Sequence, residues 1–205
     1  MTTGNEGGLA GIHAVFNHPG LRKFWCRIRY PFATVLLVML AWLFWKYPLI
    51  QPQWFRIGFA VSLLGEFIQL WCFASLKKEK VLACRGPYVL VRNPMYLGRY
   101  FIVLGLILLL GRPGLWAVVP YTIFYWFYMV NRVRREEAKL AGIFGADYDA
   151  YCRNVNRFLP SPRGGHLRNV LYWNWGLLHG NHGWVNLAAL LVAYAVLYVC
   201  AFVLK

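Results

Sequence analysis

The chain has 205 residues, 60% of them hydrophobic and only 14% charged. A soluble domain carries about a quarter charged residues, and the apolar residues here fall in long runs, so composition excludes a water-soluble protein and points to an all-α integral membrane protein. The net charge of +15 comes from 22 Lys and Arg against 7 Asp and Glu. It fits basic cytoplasmic loops facing anionic lipid, not a nucleic-acid partner.

Residues 1–20 are Gly-rich and polar and read as a flexible cytoplasmic tail. Arg22, Lys23, Arg27 and Arg29 then precede an apolar run from Pro31 to Tyr47. This resembles a signal sequence, but no small-residue cleavage site follows, and Trp42, Trp45 and Tyr47 mark an interface. An uncleaved first helix is expected. The turn Pro48–Pro52 leads to a second helix, about Trp54 to Leu76, which Lys77-Lys78-Glu79-Lys80 ends. A third span is expected from Met95 to Leu110, a reversal at Gly111-Arg-Pro-Gly114 and a fourth span from Leu115 to Val130. Both are short against the roughly twenty residues a crossing helix needs. Residues 131–170 are basic and polar. Asn186 to Leu204 reads as a fifth span, with Trp173, Trp175 and Trp184 as an interfacial belt before it.

Residues 21–205 are therefore expected to form one membrane domain of about five spans. The segments 22–29, 77–99 and 132–168 hold most of the positive charge, and the turns 48–53 and 111–114 hold one Arg between them. The positive-inside rule then places the N-terminus and all basic segments in the cytoplasm and the C-terminus outside. The five cysteines have no C-x-x-C spacing, and neither they nor the five histidines suggest a metal site.

Glu66 falls near the middle of the second span, with Ser62 and Gln69 on the same helical face. An ionisable group at that depth is either a functional group or part of a polar patch that pins helix packing. Arg132 and Glu136 are four residues apart, on one helix face where the fourth span emerges.

Several motifs follow one another in order. Gly86-Pro-Tyr88 precedes Arg92-Asn93-Pro94-Met95-Tyr96-Leu97-Gly98. An apolar hairpin, Glu136-Glu137, Phe144-Gly145 with Tyr148 and Tyr151, and Arg157-Phe-Leu-Pro160 come after it. This series, over about residues 58–160, resembles the isoprenylcysteine carboxyl methyltransferase and phospholipid methyltransferase superfamily of membrane enzymes.

The resemblance implies S-adenosylmethionine as methyl donor, held at the cytoplasmic face by loops and helix ends, with no metal. Carried over by position, the donor contacts are Lys80, Val81, Leu82, Tyr88, Asn93, Pro94, Met95, Tyr96 and Glu136, while Arg132 faces the acceptor. The isoprenylcysteine branch has His where this chain has Asn93, and Lys80 also departs from that branch. The stretch after Pro160 lies outside the shared pattern.

Residue chemistry is compatible with this. Glu136 and Glu137 offer acceptors for the donor's ammonium or ribose, and Tyr88 and Tyr96 offer faces and hydroxyls for its adenine or sulfonium. Pro87 and Pro94 fix turns. A carboxylate acceptor is already nucleophilic and needs no base, whereas an amine must first lose a proton. Arg132, assisted by the polar Glu66 patch, would receive an amphiphilic acceptor from the membrane. The favoured reaction is carboxyl O-methylation of an isoprenylcysteine-like substrate. The alternative is N-methylation of a phospholipid amine, and a non-catalytic membrane interaction protein ranks below both.

Overall fold

The computed structural model describes residues 18–47, 49–77, 81–160 and 167–203, and among these it contains helices and turns but no strand. Most of the expected N-terminal tail lies outside the described residues. The helices are α1 (Pro19–Lys46), α2 (Pro52–Ser75), α3 (Pro94–Leu108), α4 (Arg112–Phe144), α5 (Ala146–Asn154), α6 (Leu167–Val170), α7 (Trp175–Gly180) and α8 (Gly183–Phe202). A 3₁₀ turn covers Gly86–Val89.

Proline sets the start of four helices, and Pro19 is the first residue of α1. Pro52 and Pro94 open α2 and α3, and Pro113 lies in the first turn of α4. At these positions the missing N–H would have had no intrahelical partner. Among the described residues, two helices, α2 and α8, are long and apolar enough to cross a membrane, with mean hydropathies of 1.6 and 2.2. α3 is apolar but has 15 residues. The charged stretch expected after the fourth span does not begin with a break. α4 runs unbroken for 33 residues, so Arg132, Glu136 and Glu137 stand on the same rod as the apolar run before them.

The hairpin of α2 and α3 is the centre of the fold. Gly58 and Gly65 on α2 face Gly105 and Gly98 on α3, an antiparallel register in which each glycine meets a backbone atom of the other helix. A Cβ on Gly58 would lie 2.6 Å from the Gly105 carbonyl oxygen, and one on Gly65 2.5 Å from that of Gly98. Small residues let backbones approach in this way, which is how helices associate where lipid removes the hydrophobic drive.

α8 packs on α2 beside α3, also antiparallel to α2. Ser62, fully buried, has its hydroxyl 2.8 Å from the Ile102 carbonyl and 2.7 Å from the Tyr194 hydroxyl, which lies 3.0 Å from the Gly58 carbonyl. Three helices are thereby pinned at one depth. Phe55 contacts Tyr194, Tyr198 and Phe202 edge-on, carrying the seam to the end of α8.

α4 leans on α3 through tyrosines. Tyr125 and Tyr121 donate to the Tyr96 and Tyr100 carbonyls at 2.6 and 3.1 Å, and Tyr100 stacks on Tyr121. At the far end of the hairpin, the Gln51 N–H donates to the Leu109 carbonyl at 2.8 Å. The two short turns therefore share one end of the molecule, and the motif segments gather at the other.

The chain beyond Pro160 returns to that motif end. The Asn174 N–H donates to the Ala74 carbonyl at 3.1 Å, and Asn181 Nδ2 donates to the Phe73 and Leu76 carbonyls at 2.9 and 2.7 Å. The last carbonyls of a helix have no intrahelical partner. A distant asparagine therefore supplies the C-terminal cap that Leu76, in extended backbone, does not. Trp173, Trp175 and Trp184 pack on one another beside it. We expect Asn181→Ala to cost about 1–3 kcal/mol by orphaning both carbonyls. An unchanged thermal unfolding midpoint in detergent would show that the cap does not hold α2.

Candidate functional site

The site begins at a glycine. Gly86 has φ of 63°, in the left-handed region that side chains avoid, and a Cβ there would run into the Ser75 side chain. Only glycine lets the loop turn inward here and bury Pro87, Tyr88 and Val89 against the end of α2. The turn delivers Arg92 and Asn93 to the start of α3.

α4 supplies the opposing wall with two adjacent faces. Asn131, Val133 and Glu137 point inward and are buried. Arg132 and Glu136 lie on the next face and are about half exposed, joined by Arg132 Nε to Glu136 Oε1 at 2.9 Å. The expected i, i+4 pair is thus formed. Adjacent carboxylates differ because residues one apart do not share a helix face.

Glu137 is the hub. Asn93 Nδ2 donates to its Oε1 at 3.2 Å, Arg92 Nε lies 3.4 Å from the same oxygen, and Arg157 Nη2 lies 2.5 Å from Oε2. Around it, the Arg92 N–H donates to the Asn156 carbonyl at 2.9 Å, and the Tyr151 hydroxyl donates to the Tyr88 carbonyl at 2.6 Å. The segments 86–96, 131–137 and 148–157 are therefore bolted together by one carboxylate and two cross-links.

Burial pushes the hydroxyls of Tyr88, Tyr148 and Tyr151 well above the ordinary tyrosine range, with the nearby Glu137 charge adding to this at Tyr148. At neutral pH they stay protonated and act as hydrogen-bond donors.

Tyr96 links the hub to the exposed pair. The residue is 3% exposed, and its hydroxyl lies within reach of Arg132 and Glu136 yet makes no hydrogen bond of standard geometry. A buried polar atom without a partner is costly unless something else satisfies it. Here it adjoins an exposed Arg–Glu pair, where a polar ligand could complete it.

The other candidates fall in different places. Pro94 is the first residue of α3. The Met95 side chain packs against the cluster of Phe73, Ala74 and Leu178, and its sulfur accepts from Arg99 Nη2 at 3.4 Å. Val81 is exposed and Leu82 half-buried, and both line a cavity of about 420 Å³ that contains none of Tyr88, Asn93, Tyr96, Glu136 or Glu137. Lys80 lies outside the described residues. Glu66 is 2% exposed, and its Oε1 has no partner. It sits nine residues before the end of α2, roughly 14 Å along the axis, and no bond joins it to Arg132 or Glu136.

Arg92, Tyr148, Tyr151 and Arg157 belong to the motifs by sequence, but nothing local to them in the chain assigns them a role. Their signal was charge and hydroxyl groups in a motif with no evident partner. Asn174 and Asn181 carried no signal.

Hydroxyls and carboxylates gather at the polar end of an apolar helical hairpin, and the sequence similarities fall on this part of the chain. The phospholipid methyltransferase family model matches residues 54–147. Protein-S-isoprenylcysteine O-methyltransferase of Schizosaccharomyces pombe is 31% identical over 83 residues, which is 40% of this chain and 34% of that protein. The protein of the same name from Tribolium castaneum is 26% identical over 117 residues, 51% of this chain and 41% of the relative. Cobalt-zinc-cadmium resistance protein CzcN of Cupriavidus metallidurans is 27% identical over 118 residues, 57% of this chain and 53% of the relative. The matches thus span about a third to a half of these relatives' own lengths. No solved structure matches the chain. Over residues 54–147 the chain is thus similar to phospholipid methyltransferases, and over about half of its length to proteins named isoprenylcysteine O-methyltransferases.

Proposed function

We propose that this protein is an S-adenosylmethionine-dependent membrane methyltransferase whose acceptor is a lipid-bearing carboxylate of the isoprenylcysteine type. The observation that carries the reading is Arg132. It stands where α4 leaves its apolar run, is half exposed, is held to Glu136 through Nε and has the Tyr96 hydroxyl beside its guanidinium. Bidentate recognition of a planar anion is what a guanidinium does best.

The donor site is supported by the same group. The buried Tyr96 hydroxyl beside Arg132 and the exposed Glu136 carboxylate fit a ligand carrying an ammonium and ribose hydroxyls. Asn93, Pro94 and the Met95 backbone line the approach, and Tyr88 lies behind them. Lys80, Val81 and Leu82 come in through the resemblance. Glu137 contributes by fixing Asn93 and the turn, since two guanidiniums already engage it. When bound, the donor supplies a methyl group on a positively charged sulfur, activated for displacement. The chain's part is to hold the acceptor in line, orient its carboxylate through Arg132 and keep water out.

No residue at the site is placed as a strong base. Glu136 is paired, Glu137 is neutralised twice, and the buried tyrosines stay protonated. An acceptor that arrives already anionic suits this arrangement. The phospholipid methyltransferase model match favours the second reading, methylation of an amine headgroup. Arg132→Ala should raise KM for a farnesylated cysteine derivative by roughly 10–100-fold, the loss of a charged hydrogen bond, and leave donor affinity nearly intact. Arg132→Lys should be damaging too, because it keeps the charge and loses the fork. Methylation of phosphatidylethanolamine alone, with Arg132→Ala silent, would transfer the assignment to the amine branch.

We place the motif end in the cytoplasm with about five spans. This rests on the basic segments gathering at one end and the two turns at the other. Cysteine introduced at Ala146 should resist impermeant reagents in intact cells and cysteine at Lys205 should react. The reverse pattern would invert the topology.

A further inference from the structure

Arg99, in the second turn, is the one charged residue of α3. An ionisable group in an apolar helix marks a site unless another group pairs with it. Arg99 is exposed, and its side chain lies against the first turn of its own helix. Its Nη2 donates to Met95 Sδ at 3.4 Å, and its guanidinium lies 5.3 Å from the Tyr96 ring centroid. Its charge also acts on the Tyr88 hydroxyl. Met95, Tyr96 and Tyr88 are three of the residues that the resemblance carries over as donor contacts.

The other guanidiniums around Glu136 and Glu137 are engaged. Arg132 pairs with Glu136, and Arg92 and Arg157 share Glu137. Among the described residues no carboxylate pairs with Arg99, and the acceptor it does have is a thioether, which is a weak one. A guanidinium on an aromatic face is oriented by the ring and keeps its N–H edge for an anion. Beside the first turn of a helix a cation also gains nothing from the helix dipole, which favours negative charge there.

The donor brings the missing group. It carries an ammonium, a sulfonium and one carboxylate. Glu136 and the tyrosine faces suit its cations, and its carboxylate needs a cation in turn. Tyr96 stands between the two charges: Glu136 is within reach of its hydroxyl, and Arg99 lies on its ring. The ammonium and carboxylate of an amino acid share one carbon, so a zwitterion lying along Tyr96 meets both.

We propose that Arg99 binds the carboxylate of the methyl donor, its guanidinium held in place by the Tyr96 ring and the Met95 sulfur. The inference rests on the donor reading above and adds to it the anchor for the donor's negative end. Arg132 stays with the acceptor.

Calorimetry on the full-length protein in detergent, with S-adenosylhomocysteine and its decarboxylated analogue, tests this. The wild type is expected to bind the carboxylated compound roughly 10–100-fold more tightly, the worth of a charged hydrogen bond. Arg99→Gln should abolish that preference, weakening S-adenosylhomocysteine and leaving the analogue within about twofold of wild type. Arg99→Lys should retain part of it, because the charge stays and the fork is lost. A merely structural role for Arg99 would weaken both ligands alike, and that result overturns the anchor. Equal binding of the two compounds by the wild type overturns it without any variant. So does a preference that survives Arg99→Gln and disappears in Lys80→Gln, or an Arg99→Gln protein that loses only acceptor affinity. If the wild type binds neither compound, the donor reading falls and takes the anchor with it. A donor that binds while Arg99→Gln is indifferent sinks the anchor alone.

Discussion

Gly105→Leu should yield no folded protein. A Cβ on Gly105 would run into the Gly58 carbonyl and the Ser62 hydroxyl, and would lie 2.6 Å from the Ser62 nitrogen. Two of these are backbone atoms, which cannot swing aside like the end of a flexible side chain. α2 and α3 would have to separate, and the Ser62–Ile102 and Ser62–Tyr194 bonds would break with them. Even Gly105→Ala should cost about 1–3 kcal/mol, the usual penalty for overpacking. Gly142→Ala is the control, since no atom lies within 4 Å of the corresponding Cβ. Monodisperse recovery in detergent and the thermal midpoint decide the matter. A Gly105→Leu protein that elutes and melts like wild type would mean the helices do not touch there.

Glu137→Ala should be the most damaging change at the motif end. Glu137 is 8% exposed and engages Arg92, Arg157 and Asn93 together. Removing one partner of a buried ion pair leaves the other's charge uncompensated and costs about 3–5 kcal/mol. Arg157 is 37% exposed in its side chain and can turn to water, so the lower part of that range applies. The loss should appear as a fall in the unfolding midpoint, and Glu136→Ala should show almost none of it. Donor affinity should respond in the opposite way, falling with Glu136→Ala at an unchanged midpoint. If Glu137→Ala weakens donor binding and leaves the midpoint alone, Glu137 is a ligand contact and the hub has no structural role.

The sequence made some of this legible because local spacing carries it. Arg132 and Glu136 share a face by simple helical periodicity. Ser62, Glu66 and Gln69 are all buried, as their common face requires. Pro52, Pro94 and Gly111 punctuate the helices where turn chemistry places them. The rest depends on contacts between residues far apart in the chain. Nothing near Glu137 announces that Arg157 will reach it, and Glu136 and Glu137 look alike until α4 is seen to rotate one inward. The glycines at 58, 65, 98 and 105 read singly as tolerated breakers. Their meaning is a register that appears only when the two helices are set side by side. Asn181 is an ordinary polar residue until α2 ends beside it.

The asparagine cap at the end of α2 also sets an order of events. α2 is made early, yet two of its last carbonyls wait for a side chain 105 or more residues downstream. The Tyr194 hydroxyl that meets Ser62 comes later still, 132 residues on. Domains made on the ribosome fold from the N-terminal side first. Here the α2–α3 hairpin can close during synthesis, and its polar end stays open until residue 181 has been added. A stretch made 105 or more residues later is thus the one that completes the α2–α3 hairpin.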